Sequence, residues 1–478
     1  MSRPDLQKPI RQAVWAGFAG YAFLALLYFA YRAHANHLII LSLAAGLVLA
    51  SAVLLYWLRQ RDFDSDIDAQ TATRMVWLLV AAGLVLRVAF VLLIPPVQQS
   101  DFLSYLEAAE RLVDEGRYYF PFPSGELLAW RPPGYIFLLA ALMLVFGKAS
   151  WLPLAINLVS FAVSCHAVRS LADRLAGNRV AGLFAVALIA LWPDAIAGAG
   201  YAASEWPSLA LLTVGLWSVL KAQDGSWRHA VLAGLCMGFG ALIRPGLILL
   251  PVCWFVYCVA GPPFDRARLA RNLIVLIAAV AVVAPWSVRN YQVLHAFVPI
   301  STNGGSVFYR ANNPVADGGY SERGERDIDA LVGSEILWNK TGFAWGMEWI
   351  RGNPVGFLIL LPKKQAIFTG SDTNSIYWAL ERAYNDTGPR YDVLRVLANG
   401  WWVAVLLLLS VASIRCRRFL CGNPGAGLLV ATLLYVVAVH SVFESQPRHH
   451  QPLYGLIAIL ASMAIWRPAA TTEAAVRK

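Results

Sequence analysis

Apolar runs of about 20 residues, the length that matches a bilayer's hydrocarbon core, recur throughout the chain. They fall at 12–31, 38–58, 75–94, 151–171, 179–195, 205–221, 229–244, 246–260, 271–288, 398–414, 425–442 and 451–466. Inside a bilayer every backbone amide and carbonyl must find its partner within the chain, which leaves helices or closed barrels. The runs are continuous rather than alternating, so they predict membrane helices, about 12 in all. Charged residues make up only 14% of the chain, against about 25% in a soluble protein. The first run, from Ala13 to Tyr31, exceeds a signal-peptide core and has no small-residue cleavage site after it, so it reads as a retained span.

Lys and Arg mark the cytoplasmic connections of a multi-pass chain. Arg3, Lys8 and Arg11 precede the first run, and Arg59, Arg61 and Arg74 separate the second from the third. Arg169, Arg174 and Arg179, then Lys221 and Arg228, then Arg266, Arg268 and Arg271, then Arg415, Arg417 and Arg418 follow at every second turn. With Arg467, Arg477 and Lys478 they put both termini inside. The net charge of +10 is therefore a topology signal and not a nucleic-acid footprint. Gly134–Gly147 is apolar but too short to span, so it is expected in the outer interface, as is Val355–Leu361.

The resulting map has N-terminal membrane helices over 1–95, a first outer loop with amphipathic helices over 96–150, and membrane helices over 151–288. An outer domain over 289–397, C-terminal membrane helices over 398–467 and a cytoplasmic tail over 468–478 complete it. The fold class is an all-α polytopic membrane protein with outer interfacial helices and a small mixed α/β outer region. The six cysteines lie in or beside apolar runs and none falls in 290–397, which argues against an external disulfide framework.

Candidate chemistry gathers at the outer ends of the spans. In "DFLSYLEAAERLVDEG", Phe102, Tyr105, Leu106, Ala109, Leu112 and Val113 recur at helical spacing, with Gly116 as the stop. Asp101 heads this helix, either as an N-cap or as a functional carboxylate. "WRPPGY" sets two prolines at the start of the next helix. Its Arg131 is either an interfacial anchor beside Trp130 or an anion site. Asp194 and Glu205 flank a short outer turn. Arg244 ends a span, and Arg87 lies within one, where a charge is functional unless it snorkels out. "APWSVRN" carries Arg289, "STNGG" carries Asn303 at a turn, and "ESQPRHHQPLYG" carries Glu444, Arg448, His449 and His450. No ligand set at metal-binding spacing is present in the sequence.

Taken in order, "DFLSY", "RPPGY", "SE", "IRP", "APWSVRN", "STNGG" and "PRHHQP" resemble the GT-C glycosyltransferases. They are similar to the lipid A aminoarabinose transferases and protein O-mannosyltransferases among them. The resemblance covers roughly 95–315 and 440–455; the first two spans precede the family pattern, and 315–397 matches it less clearly. It implies a GT-C-like fold in the bacterial inner membrane with its active site on the periplasmic side. It also implies inverting transfer of a hexosyl or pentosyl group from a polyprenyl-phosphate donor to a lipid, glycan or protein acceptor. By position, Asp101 and Glu205 are then catalytic, and Arg131, Arg448 and Arg244 bind the donor phosphate. Tyr105, Tyr135, Asn303, His449 and Arg289 are expected to contact substrate. No cofactor is assigned, and a divalent cation, Mg or Mn, stays open because the family divides on it. The sequence names neither sugar nor acceptor, and it sets no oligomeric state.

Two other functions fit a twelve-span chain. A flippase or transporter for a lipid-linked sugar would place its coupling charges near the midplane in broken helices, whereas here the charges gather at outer ends. An O-antigen-type ligase or polymerase also uses late outer Arg and His residues but takes a diphosphate-linked donor.

Overall fold

The computed structural model describes residues 7–33, 37–59, 67–123, 125–261, 265–320 and 334–465. The cytoplasmic tail 468–478 and the topology markers Arg3, Arg61 and Arg467 lie outside the described residues. Within the described residues, each of the twelve apolar runs is mostly helical. Among the described residues, seven helices are long and apolar enough to cross a membrane on their own: Pro9–Leu27, His37–Leu54, Ala69–Leu93, Leu152–Ala176, Arg266–Leu294, Pro389–Arg415 and Pro424–Val442. The protein is an all-α, multi-pass membrane fold.

The shorter segments have local causes. Pro245 cannot continue the helix Trp227–Ile243. Arg244 turns extended there (φ −134°), and a ten-residue helix, Leu250–Val259, follows. The run 451–466 becomes a 3-10 turn, Pro447–Leu453, and a short helix, Tyr454–Ser462, all of whose residues are buried. That helix packs on Leu152–Ala176, Arg179–Ala190 and Pro389–Arg415. A helix apolar on every side belongs inside a bundle, where lipid thickness does not set its length.

Arg87 does not snorkel. It is 3% exposed and donates to the carbonyls of Gly83 (3.0 Å), Ala190 (3.0 Å) and Ile189 (3.1 Å), with its guanidinium 3.8 Å over the Phe161 ring. It thereby satisfies the orphan carbonyls at the end of the helix Arg179–Ala190. Arg87→Leu is expected to lower the thermal midpoint of the purified protein, at about 1–3 kcal/mol for each buried carbonyl left unpaired. An unchanged midpoint would remove this arginine from the packing.

The segments expected on the outer face are built from amphipathic pieces. The helix Asp101–Glu115 ends at Gly116, whose φ of 67° is the left-handed conformation expected of a C-terminal glycine. A two-stranded hairpin follows, Phe120–Phe122 against Gly125–Leu127. Pro133 then opens the helix Pro133–Phe146. A Cβ on Gly134 would lie 2.8 Å from the Leu242 backbone, so only glycine lets this helix touch Trp227–Ile243. Across 289–397 the described elements are helical, so the β component of the outer region is the hairpin in the first loop. One carboxylate ties the two regions together. Glu335, 4% exposed, accepts from the Leu128 amide (2.6 Å), the Ala129 amide (3.1 Å) and the Thr302 hydroxyl (2.6 Å).

Candidate active site

The site forms where the first outer helix, the "RPPGY" segment and the late 3-10 turn converge. Ser100 precedes Asp101 with a φ of 53° and makes no side-chain cap, so Asp101 is the first helical residue and not the N-cap. A non-glycine residue in that conformation costs about 1–3 kcal/mol and survives only where its surroundings impose it. Here it accompanies a carboxylate held between two arginines. Asp101 Oδ1 lies 2.8 Å from Arg131 Nη2, and Oδ2 lies 2.8 Å from Arg448 Nη2. Burial works against the Asp101 charge, but the guanidinium groups of Arg448 and Arg131 outweigh it and hold the carboxyl well below the usual carboxylate range.

Each arginine keeps an unused donor. The Nε atoms of Arg131 and Arg448 are buried and without a hydrogen-bond partner among the described residues, as is the Tyr135 hydroxyl. Arg131 stands 5.6 Å over the Tyr105 ring, and Tyr105 meets Tyr135 edge-on at 5.5 Å. A second pair lies in the same region. Glu205 Oε1 is 2.9 Å from Arg244 Nη1, which also reaches Ser204 Oγ at 3.3 Å.

His449 sits behind the arginines. Its Nδ1 accepts from the Gln446 amide at 3.2 Å, and its ring stacks on His440 with centroids 4.2 Å apart. Burial first, then the neighbouring His440, Arg244 and Arg448, push its pKa far down, so it is neutral. Two expected contact residues are held elsewhere. Arg289 donates to the carbonyls of Leu128 (2.6 Å) and Tyr118 (3.2 Å) and lies 4.7 Å over Trp286, clamping the hairpin. Asn303 accepts from the Ser301 hydroxyl at 2.9 Å at the start of the helix Gly304–Ala311.

The structure joins some of these residues to groups that the motifs did not single out, Arg310 and Asp372 among them. Arg310 Nε lies 3.5 Å from Glu444 Oε2, and neither atom has a hydrogen-bond partner among the described residues. Burial pushes the Glu444 carboxyl up, against the pull of Arg310 and Arg448. Beneath Arg448 lies a buried polar network. Asp194 accepts from Gln451 (2.7 Å), the Ser375 amide (2.8 Å) and the Ser375 hydroxyl (3.1 Å). Asp372 accepts from Trp192 (2.6 Å), meets His450 Nε2 at 3.0 Å and accepts from the Tyr454 hydroxyl. This network pins the turn that carries Arg448. Asp372 lies in a segment without any recognisable motif, so only its fold partners reveal it.

These groups suit an anion. Both oxygens of Asp101 are taken up by guanidinium nitrogens, and positive charge on either side repels a divalent cation. Among the described residues no three His, Cys, Asp or Glu side chains gather into a ligand set.

Residues 130–288 match the family model of dolichyl-phosphate-mannose-protein mannosyltransferases. No curated protein matches the sequence. Among solved structures, the chain is similar to the archaeal oligosaccharyltransferase AglB from Archaeoglobus fulgidus in complex with an inhibitory peptide and a dolichol-phosphate. That match has a TM-score of 0.49 and 14% identity, over 81% of this chain and 50% of that one. It is also similar to ArnT from Cupriavidus metallidurans bound to undecaprenyl phosphate, with a TM-score of 0.40 and 18% identity, over 84% and 80%. The chain spans about half the length of the archaeal enzyme.

Proposed function

We propose that the protein is a membrane glycosyltransferase that moves one sugar, with inversion, from a polyprenyl-phosphate carrier to a lipid, glycan or protein acceptor. In this reading it works in the bacterial inner membrane, with the site on the periplasmic side. The observation that carries the proposal is Asp101 held between Arg131 and Arg448, two half-buried arginines whose buried Nε donors have no partner among the described residues. The family match over 130–288 includes Arg131, Glu205 and Arg244 and supports the same chemistry.

The steps follow from the charges. The donor's phosphate seats against Arg131 and Arg448, whose forks match phosphate oxygens. An acceptor hydroxyl attacks the sugar's anomeric carbon from the opposite face. Asp101 takes the hydroxyl proton as the C–O bond to phosphate breaks. The leaving polyprenyl phosphate carries the electron pair away as a dianion, and the arginines stabilise that growing charge. Glu205, tied to Arg244, orients the sugar or acceptor. One displacement inverts the anomeric centre. A phosphate acceptor would need no base, and Asp101 would then only position the sugar.

The test is release of polyprenyl phosphate by purified protein given a panel of polyprenyl-monophosphate sugars and a lipid extract as acceptor. Sugar-dependent release is expected. Release of polyprenyl diphosphate from diphosphate-linked donors only would point to a ligase or polymerase, and movement of the lipid-linked sugar without release would point to a flippase. Because the acidic groups are arginine-bound, transfer is also expected to persist in EDTA. Loss of activity restored by Mg or Mn would overturn that expectation.

A further inference from the structure

The loop that leads to Glu205 is held by side chains. The Trp206 indole donates to the Gly198 carbonyl at 3.1 Å, and Asn157, 3% exposed, donates to the carbonyls of Ala199 and Tyr201, each at 2.8 Å. The Gly200 carbonyl between them accepts from Gln98 Nε2 at 2.9 Å, and Gln98 Oε1 accepts from the Ala202 amide at 3.0 Å. These partners fix the orientation of the Gln98 amide, because only its nitrogen can donate to a carbonyl and only its oxygen can accept from an N–H. Trp206 and Asn157 belong to the helices Glu205–Gln223 and Leu152–Ala176. Gln98 comes from the other carboxylate's segment. It lies three residues before Asp101, and Ala202 lies three residues before Glu205. One half-buried side chain thus joins the two segments that end on the candidate carboxylates.

The backbone between Gln98 and Asp101 is strained. The Phe102 amide donates to the Gln99 carbonyl at 3.1 Å, which closes a turn with Ser100 at its first central position, φ 53° and ψ −125°. That is type II′ geometry, which favours glycine there. Such a turn relaxes by moving its flanks unless both are restrained. Downstream the restraint is the helix Asp101–Glu115. Upstream it is Gln98, aided by the Tyr384 hydroxyl, which donates to the Pro95 carbonyl at 2.7 Å. The two segments also touch closely. A Cβ on Gly200 would lie 2.8 Å from Pro96 Cγ, and the rings of Phe102 and Tyr201 meet with centroids 4.9 Å apart. Glu205 borders the same narrow gap as Arg448, which grips Asp101.

We propose that Gln98 is a positioning residue for the transfer, holding Asp101 and Glu205 in register by clamping the Asp101 segment to the Glu205 loop. This rests on the transfer reading above and adds to it the group that sets the relation between its two carboxylates. Gln98 touches neither carboxylate and acts only through the backbone at Gly200 and Ala202. Its loss should therefore appear in the chemical step and not in the hold on the lipid phosphate, which belongs to Arg131 and Arg448.

The test uses the full-length protein in nanodiscs, with a polyprenyl-monophosphate sugar and a lipid extract as acceptor. Gln98→Ala is expected to lower kcat by about 10–100-fold, the scale of a small misplacement of reacting groups, with affinity for undecaprenyl phosphate unchanged. Gln98→Met fills the same space without the two bonds and should lose as much. In the Asp101→Asn background, Gln98→Ala should cost less than about threefold more, because residues acting through one group are not additive. Hydrogen exchange over 198–204 should speed up in Gln98→Ala, a readout independent of any reaction. Unchanged exchange or unchanged kcat would overturn the clamp, and full activity in Gln98→Met would reduce it to packing. Additive losses in the double variant, or a parallel loss of lipid affinity, would make Gln98 a part of the fold at large and overturn its positioning role. Faster exchange in a protein whose wild type releases no polyprenyl phosphate would keep the clamp and overturn the transfer reading, and with it the role in transfer.

Discussion

Asp101→Asn is expected to lower sugar transfer by about 10²–10⁴-fold, the usual range for loss of a positioned general base. Binding of sugar-free polyprenyl phosphate should persist or tighten. Both expectations come from one contact. The carboxylate is paired with Arg131 and Arg448 at 2.8 Å each, so it offsets part of the positive charge they present to a phosphate. An amide keeps the shape but gives up the charge, leaving the arginines free for the leaving group. The folded protein should lose stability without a bound anion. Breaking a fully buried pair costs about 3–5 kcal/mol, and less here because Asp101 is 21% exposed.

The pH dependence has a definite sign. The arginines lower the folded-state pKa of Asp101, so its stabilisation is present above the unfolded value of about 3.9 and fades as pH falls through the folded value. The variant should lack this acid-sensitive component. Parallel assays of transfer, lipid binding and thermal midpoint separate these effects. Full activity in Asp101→Asn would leave the residue as the start of a helix.

Glu335→Ala should be the most damaging change outside the site. Three donors converge on this buried carboxylate, two of them the amides of Leu128 and Ala129, just before Arg131. Hydrogen bonds to a charged group contribute about 1.5–3 kcal/mol each, so a loss of at least about 3 kcal/mol is expected. Glutamine can replace only part of this, because its amide nitrogen is a donor facing donors. The hairpin and Arg131 should loosen together. Hydrogen exchange at residues 118–131 should speed up, and transfer should fall even where the membrane helices stay folded. Unchanged exchange there would show that the hairpin is held by other means, such as the Arg289 clamp.

The sequence carried much of the arrangement and little of its detail. Asp101, Arg131 and Arg448 are all in short outer segments that stand out against apolar surroundings, and the fold brings those three together. Arg87 illustrates the opposite case. Its place within a span made it a functional candidate, yet its three carbonyl partners lie on its own helix and on the one ending at Ala190. A charge in an apolar run says that a partner is needed, not which one. Asp372 sits in no motif and no periodic run, so nothing local marks it.

The membrane architecture was decided by the sequence alone. Lipid offers no hydrogen bonds, so apolar length dictates helices whatever their neighbours are. The site was decided by the tertiary structure. Asp101 and Arg448 are 347 positions apart, and no local rule relates them. Their contact exists because Ser100 directs the first outer helix and the buried Asp194 and Asp372 network pins the last outer turn. Hydrogen bonds are directional and short-ranged, so the charges that meet are set by packing.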